Sequence, residues 1–317
     1  MAEYVARRAG LAVVTLLLLS VLVSGVVRLI PGDAVMAKIA EAGFADPTQI
    51  PALRHELGLD RSFPEQYGSW ILGALHGDFG DSFQKHRPVF GEFADALPVT
   101  LELAALAFIT SLLIAVPLGV LSAIRPNTPW DLGGRLFAVC GLAMPDFFVA
   151  LTVIIVLSRF FNYTTPIGYV SPTDDLWKNL QQFVFPAAIL GFRMSAVTMR
   201  MLRSSLLEVM RQDYVRTAWA KGLREQVVVT RHALKNAMLP VVTIVGNQAA
   251  YLFGGAVILE QIFALPGVGW LTLSAIEMRD YPQIQMNVLF FGVVIVGMNL
   301  LVDLSYGWLD PRIKLAT

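Results

Sequence analysis

Four ionisable side chains interrupt long apolar stretches of this chain: Glu102, Asp146, Arg193 and Asp303. A charge inside a bilayer is expensive. Such residues face a protein interior or a water path, pair with one another, and mark routes for solutes. For Asp146 and Arg193 two readings stand side by side: a place on a translocation path, or internal pairing and contact with a partner subunit. Glu102 and Asp303 lie near span ends and can reach the interface, which favours structural roles, although Glu102 stays a candidate for the path.

Patterns for catalysis or metal binding are missing. The sequence has no G-x-x-x-x-G-K-[ST] phosphate loop, no H-E-x-x-H, no cysteine pair and no G-x-S-x-G nucleophile elbow. His55, His76, His86 and His232 are scattered and read as non-ligands. The single cysteine, Cys140, excludes an internal disulfide, and its apolar surroundings suggest a buried, inert thiol. Asn162-Tyr163-Thr164 fits a glycosylation acceptor, a pattern common by chance.

The elements that must carry the charges are set by composition. Of 317 residues, 56% are hydrophobic and 15% charged, and the mean hydropathy is +0.61. That excludes a disordered chain and an ordinary soluble enzyme, and points to a polytopic membrane protein. Balanced charge gives no electrostatic case for nucleic acid. Six runs are long enough to span a bilayer: Ala9–Val27, Leu103–Ile124, Leu136–Ser158, Asn179–Thr198, Asn236–Leu259 and Tyr281–Val302. The expected organisation is an N-terminus and first helix at 1–30, a cap segment at 31–97 and a core at 98–317. Helices in the core are expected at about 98–124, 134–158, 180–203, 237–260 and 283–306. The first run is longer than a signal-peptide core and lacks a cleavage site, so a retained helix is preferred. Gln261–Ile276 is short and contains Pro266, Gly267 and Gly269, and reads as re-entrant or interfacial. Breakers in or beside the spans, such as Pro117, Pro145, Pro186, Pro240, Gly254 and Gly255, suit a gated path but are also common in membrane helices.

Lys and Arg set the orientation. With the N-terminus in the cytoplasm, inner segments hold Arg7, Arg8, Arg125, Arg135, Arg200, Arg203, Arg211, Arg216, Lys221, Arg224, Arg231, Lys235, Arg312 and Lys314. Short outer loops hold only Arg159, Lys178 and Arg279. Both termini are therefore expected inside. The outer segment, about Pro31–Pro98, contains Tyr67, Trp70 and Phe79 and reads as a small cap of two or three short helices, its tryptophan and glycines either interfacial packing or substrate contacts. A basic inner segment at about 204–236 reads as two short helices joined at Gly222, a glycine placed for a helix C-cap. Such a projecting knob is either a basic loop touching lipid headgroups or a docking element for a cytoplasmic partner.

Asp213-Tyr-Val-Arg-Thr-Ala-Trp-Ala-Lys-Gly-Leu223, continuing to Arg231-His-Ala-Leu-Lys-Asn-Ala-Met-Leu-Pro240, resembles the EAA loop of ABC importer permeases, in particular the dipeptide, oligopeptide and nickel branch. Arg28-Leu-Ile-Pro-Gly-Asp33 is similar to that branch as well. So are Leu259-Glu-Gln-Ile-Phe-Ala-Leu-Pro-Gly-Val-Gly269 with Arg279-Asp-Tyr-Pro282, and Asn299-Leu-Leu-Val-Asp303 with Leu309-Asp-Pro-Arg312. These motifs cover essentially the whole chain in order. The chain has Arg216-Thr217-Ala218 where many permeases have Glu-Ala-Ala, but Gly222 keeps its place. The stretch to Pro240 is longer than in sugar importers, and both features resemble the peptide branch.

The resemblance implies an all-α, six-span permease of the type I importer fold in a bacterial inner membrane. Implied partners are a second homologous permease, two cytoplasmic ABC ATPases and a solute-binding protein. It implies ATPase coupling through Asp213, Tyr214, Arg216, Thr217, Ala218, Lys221, Gly222, Arg231 and His232. No cofactor would bind this chain; ATP and Mg would be used by the ATPases. Di- and oligopeptides lead as substrates, with nickel, glutathione or a glycoside open. A secondary transporter driven by an ion gradient would share the broken helices and buried charges without needing the knob. An intramembrane enzyme would need a catalytic constellation that is not found.

Overall fold

The computed structural model describes residues 2–29, 35–36, 50–166 and 168–309, and their side chains except at 2–5, 249–250 and 303–309. Pro31-Gly-Asp33, residues 310–317 and the Asp303 side chain lie outside it. Among the described residues every regular element is a helix, with one isolated bridge between Asp81 and Pro88. A helix satisfies its own backbone polar groups, which is the condition for entering lipid. The helices are α1 (Ala2–Val26), α2 (Ile50–Glu56), α3 (Phe63–Leu75), α4 (Val89–Ile124), α5 (Pro129–Ala143) and α6 (Asp146–Phe161). They continue with α7 (Leu176–Val209), α8 (Asp213–Ala220), α9 (Leu234–Ile262), α10 (Val268–Glu277) and α11 (Tyr281–Leu309). Among the described residues four segments are long and apolar enough to cross a membrane (Ala6–Leu29, Val89–Ile124, Leu176–Val209 and Tyr281–Val302), or up to 6 if each of two bent helix pairs is one span.

The chain divides into two compact units, Met1–Thr100 with Pro266–Leu300, and Leu101–Leu265 with Leu301–Thr317. In the first, Val23, Val27, Ala275, Tyr281 and Ile284 form one apolar cluster, and Val89, Phe93, Ala96, Val268, Leu271 and Met286 form another. Ser62 starts α3: its backbone N–H donates to the Glu65 carboxylate at 3.0 Å, a first-turn acid at a helix N-terminus. The Asp280 carboxylate ties the 81–88 turn to the start of α11, accepting from the Ser82 hydroxyl and from Phe83 N–H at 3.1 Å. Burial pushes the Asp280 carboxyl up from its ordinary value, and the nearby Glu92 adds to this, against hydrogen bonds from Ser82, Phe83 and Gln283.

The second unit is centred on α7. Phe183, Ala187, Leu190 and Met194 are buried at helical spacing, as are Met199, Leu202 and Leu206. Small residues at the crossings (Ala107, Ala115, Ala196) are fully buried and let backbones approach, the usual packing of membrane helices. A charged clamp closes one end. Asp131 is fully buried, and its oxygens receive Arg203 Nε at 2.6 Å and Nη2 at 3.0 Å, the Ser122 hydroxyl at 2.6 Å and Asn127 N–H at 3.0 Å. The carboxylate joins the ends of α4, α5 and α7.

Four expectations change. The single helix expected at 134–158 is two helices, α5 and α6, meeting at 103°. Pro145 cannot donate a backbone hydrogen bond, and the residue before it disfavours helical geometry. Met144 accordingly sits in extended backbone. Pro98, expected as a boundary, lies inside α4, because the buried stripe Val89, Phe93, Ala96, Thr100 runs across it. The joint expected at Gly222 is followed not by a second free helix but by a short turn, Glu225–Val227, and a π-helix, Val228–Ala233, that runs into α9. Cys140 is exposed rather than buried; the inward face of α5 is Asp131, Gly134, Ala138 and Gly141, which Cys140 does not share.

Removing one partner of a buried ion pair leaves a charge without compensation, at a cost of about 3–5 kcal/mol. Arg135 Nη2 stays 3.5 Å from Asp131 Oδ2, so Arg203→Met is expected to lower stability toward the lower end of that range in thermal unfolding in detergent, and Asp131→Asn in the same chain to return most of it. Equal stability of Arg203→Met and wild type would show that the clamp is not needed for the fold.

Candidate functional site

Two arrangements in the second unit bring together the residues that the sequence singles out. The first is α8 and its seat. Val215 and Ala218, three residues apart, are buried against Val228, with Val209, Met210 and Leu223 around them. The face away from this seat is open. Asp213, Tyr214, Arg216, Thr217, Lys221, Gly222 and Arg231 are exposed, and His232 is half-buried. Ala218 therefore seats the helix and does not belong to its outer face. Trp219, which the sequence reading passed over, is also exposed on this helix.

Local chemistry fixes this shape. Lys221 N–H donates to the Thr217 carbonyl at 3.1 Å and Gly222 N–H to Trp219 at 2.9 Å, so the helix ends in closed turns. Gly222 has φ +74°, left-handed backbone that suits glycine. Asn236 Nδ2 donates to the Tyr214 hydroxyl at 2.8 Å. Arg125, at the end of α4, pairs with Glu225 at 2.7 Å and reaches its second oxygen at 3.4 Å. The Arg216–Asp213 pair, at 3.6 Å, is solvent-exposed and adds little. The π-turn buries Val228, Val229 and Ala233 together. Below it, Ala233, Ala237 and Val241 pack with Leu202, Leu206 and Ala123, and the Ser205 hydroxyl donates to the Ala237 carbonyl at 2.9 Å. α8 is therefore packed on the end of α7 and on the turn that leads into α9.

The second arrangement is a cavity of about 500 Å³ lined by residues of α6, α7 and α9, among them Asp146, Leu190, Arg193, Met194 and Gln248. Arg193 Nη1 lies 3.2 Å from Asp146 Oδ2; the side chains are 55% and 12% exposed. Asp146 does not lie in the middle of one continuous helix. It is the first residue of α6, beyond the Pro145 break, where a carboxylate is favoured by the helix dipole. α9 passes close by: a Cβ at Gly255 would sit 2.8 Å from Leu190 Cδ1 and 4.0 Å from Asp146 Oδ2. Gln248 Nε2 donates to the Thr198 hydroxyl at 3.1 Å, and Tyr251 is 80% exposed.

Glu102 is elsewhere. Its carboxylate accepts from the Tyr169 hydroxyl at 3.0 Å, and it is not among the residues lining the cavity. The sequence reading missed Gln248 and Tyr251, which no motif marks, and the Asp131–Arg203 clamp, whose members are 72 residues apart. Among the described residues no group of three or more His, Cys, Asp or Glu could hold a metal ion.

Residues 1–104 match the family described as binding-protein-dependent transport system membrane component, N-terminal, and residues 115–315 match the binding-protein-dependent transport system inner membrane component. The chain is 39% identical to the dipeptide transport system permease protein DppB of Escherichia coli (strain K12), over 99% of both chains. It is 38% identical, over 99% of both, to a protein of Brucella abortus (strain 2308) provisionally named a peptide transport system permease. A crystal structure of an amino acid ABC transporter with histidines superposes with a TM-score of 0.53 at 14% identity, covering 68% of this chain and 92% of that one. At that identity the likeness is one of fold.

A branched side chain at position 255 has no room unless Leu190 yields. Gly255→Val is expected to lower stability by about 1–3 kcal/mol, and Leu190→Ala in the same chain to relieve the crowding. Thermal unfolding of the single and double variants checks this, and an unperturbed single variant would mean that α9 does not approach as closely as described.

Proposed function

Because the chain belongs to the family of binding-protein-dependent transport system inner membrane components, we propose that it is the permease subunit of an ATP-driven ABC importer for di- and oligopeptides. It forms half of the translocation path. A second, homologous permease forms the other half, two cytoplasmic ABC ATPases drive the pair, and a solute-binding protein delivers the cargo. The subunit itself is not catalytic: ATP and Mg are bound and used by the ATPases. It lies in the bacterial inner membrane with both termini in the cytoplasm, the orientation favoured by its Lys and Arg distribution.

The observation that carries this reading is the seating of α8. Its open face holds Tyr214, Arg216, Trp219 and Lys221, and its buried face rests on the end of α7 and on the π-turn that runs into α9, two helices that also line the Arg193–Asp146 cavity. Closure of the ATPases would push on the open face, and the packed seat would pass that motion to α7 and α9. Two arrangements with different contacts are what a switch requires. Glu102 has a smaller part, holding the 162–175 loop through Tyr169.

The first experiment is affinity purification in mild detergent with identification of the co-purifying chains. A second permease and ABC ATPases are expected; a chain that purifies alone, where a known importer stays assembled, argues for a self-contained transporter. A β-branched residue in left-handed backbone costs on the order of 1–2 kcal/mol. Gly222→Val is therefore expected to insert normally but to lose ATPase subunits and ATP-driven uptake; normal ATPase binding and uptake would remove the docking role from this turn. Arg193→Leu is expected to lower uptake at unchanged expression and ATPase binding, whereas unchanged uptake would make Arg193 a structural residue.

A further inference from the structure

The Arg193–Asp146 pair is only partly used. Among the described residues its single 3.2 Å contact engages one of the five guanidinium donors and one of the two carboxylate oxygens. The Asp131–Arg203 clamp in the same unit has a fully buried carboxylate with every oxygen bonded. Arg193 is instead 55% exposed and turned to a cavity of about 500 Å³, within the 300–1,000 Å³ range of small-molecule sites.

Resting on the permease reading, we propose that this pair is the receptor for the two charged ends of a zwitterionic peptide: Arg193 takes the carboxylate and Asp146 the ammonium. A fork of guanidinium donors matches a carboxylate with two parallel hydrogen bonds. The exchange is neutral at each stage. Without cargo the two side chains compensate each other; with cargo each is compensated by the opposite end of the same molecule. No net charge enters the apolar span, which is the step that would be expensive. The ends of an extended dipeptide are about 7 Å apart, and the long Arg193 side chain can withdraw from Asp146 to admit it.

Other solutes fit worse. An anion would leave Asp146 without a partner, a metal cation would find one carboxylate beside a guanidinium, and a neutral solute would use neither charge. The remaining wall explains how varied side chains are tolerated. Leu190, Met194, Val197 and Ile258 offer apolar surface, and methionine adapts to irregular shapes. The site reads the termini and stays permissive toward what lies between.

The test measures binding to the purified transporter with no binding protein present, so that upstream selection does not enter. Thermal unfolding is followed against increasing L-alanyl-L-alanine, its N-acetyl derivative and its C-terminal amide. In wild type, blocking either end should raise the half-maximal concentration by roughly ten- to a hundredfold, the size of one charge-assisted hydrogen-bond set. Arg193→Gln should abolish discrimination against the amide and keep discrimination against the acetyl derivative; Asp146→Asn should do the reverse. Arg193→Lys, which keeps the charge, should retain a preference for the free carboxylate and guards against a variant that merely folds poorly. Equal responses to the three compounds in wild type would overturn the proposal, as would discrimination that survives both neutral variants. A wild-type transporter that imports dialanine with ATP yet shows no response would also overturn it and leave the permease reading intact. Failure of that reading has its own signature, no associated ATPase and no ATP-driven uptake.

Discussion

An ionised side chain in a membrane helix needs a compensating partner or water beside it, and two aspartate–arginine pairs among the described residues meet that demand to different degrees. Asp131 and Arg203 satisfy it completely: the carboxylate is fully buried and its oxygens are bonded from three elements. The result is a fixed clamp. Arg193 and Asp146 satisfy it minimally, with one contact and an open side. Both use the same pair of chemical groups. The difference in how many bonds are filled separates a structural joint from a surface prepared for a charged visitor.

The same economy governs the knob. An eight-residue helix has too few backbone bonds to be stable alone, so α8 exists because Val215 and Ala218 hold it to Val228 and its neighbours. That dependence is useful in the proposed mechanism. A helix held by its seat and by the Asn236–Tyr214 hydrogen bond moves with them, and the seat continues through Ala233 and Ala237 into the buried faces of α7 and α9. The Arg125–Glu225 pair ties the loop beyond the knob to the end of α4. Force applied to the exposed residues meets packed side chains rather than a slack linker.

Much of this was legible from residues alone. The apolar runs located most of the helices, Gly222 marked the end of α8, and Arg193 and Asp146 stood out as charges in apolar stretches. The errors have particular causes. Asp146 reads as the middle of one helix because the apolar run continues through Met144-Pro145, and hydropathy averages over a break that a single proline makes. Cys140 was expected inside because its neighbours are apolar, but in lipid an outward face is apolar too, so composition does not separate core from surface. Asp131 drew no attention because an acid in the first turn of a helix is ordinary. The motif at Pro31-Gly-Asp33 and the Asp303 side chain lie outside the described residues.

The sequence by itself determined that this is an all-helical chain, where most of its helices run, and which residues carry charge into them. Those properties are local: they follow from apolar runs about as long as a bilayer is thick and from turn chemistry at single positions. Tertiary structure decided which charges meet. Arg193 finds Asp146 across 47 residues and Arg203 finds Asp131 across 72, while Glu102 is held by Tyr169 away from the cavity. Partnership of that kind depends on how helices cross and which faces they bury, and on a 103° turn between α5 and α6. Helical period fixes which residues share a face; it does not fix which helix that face will meet.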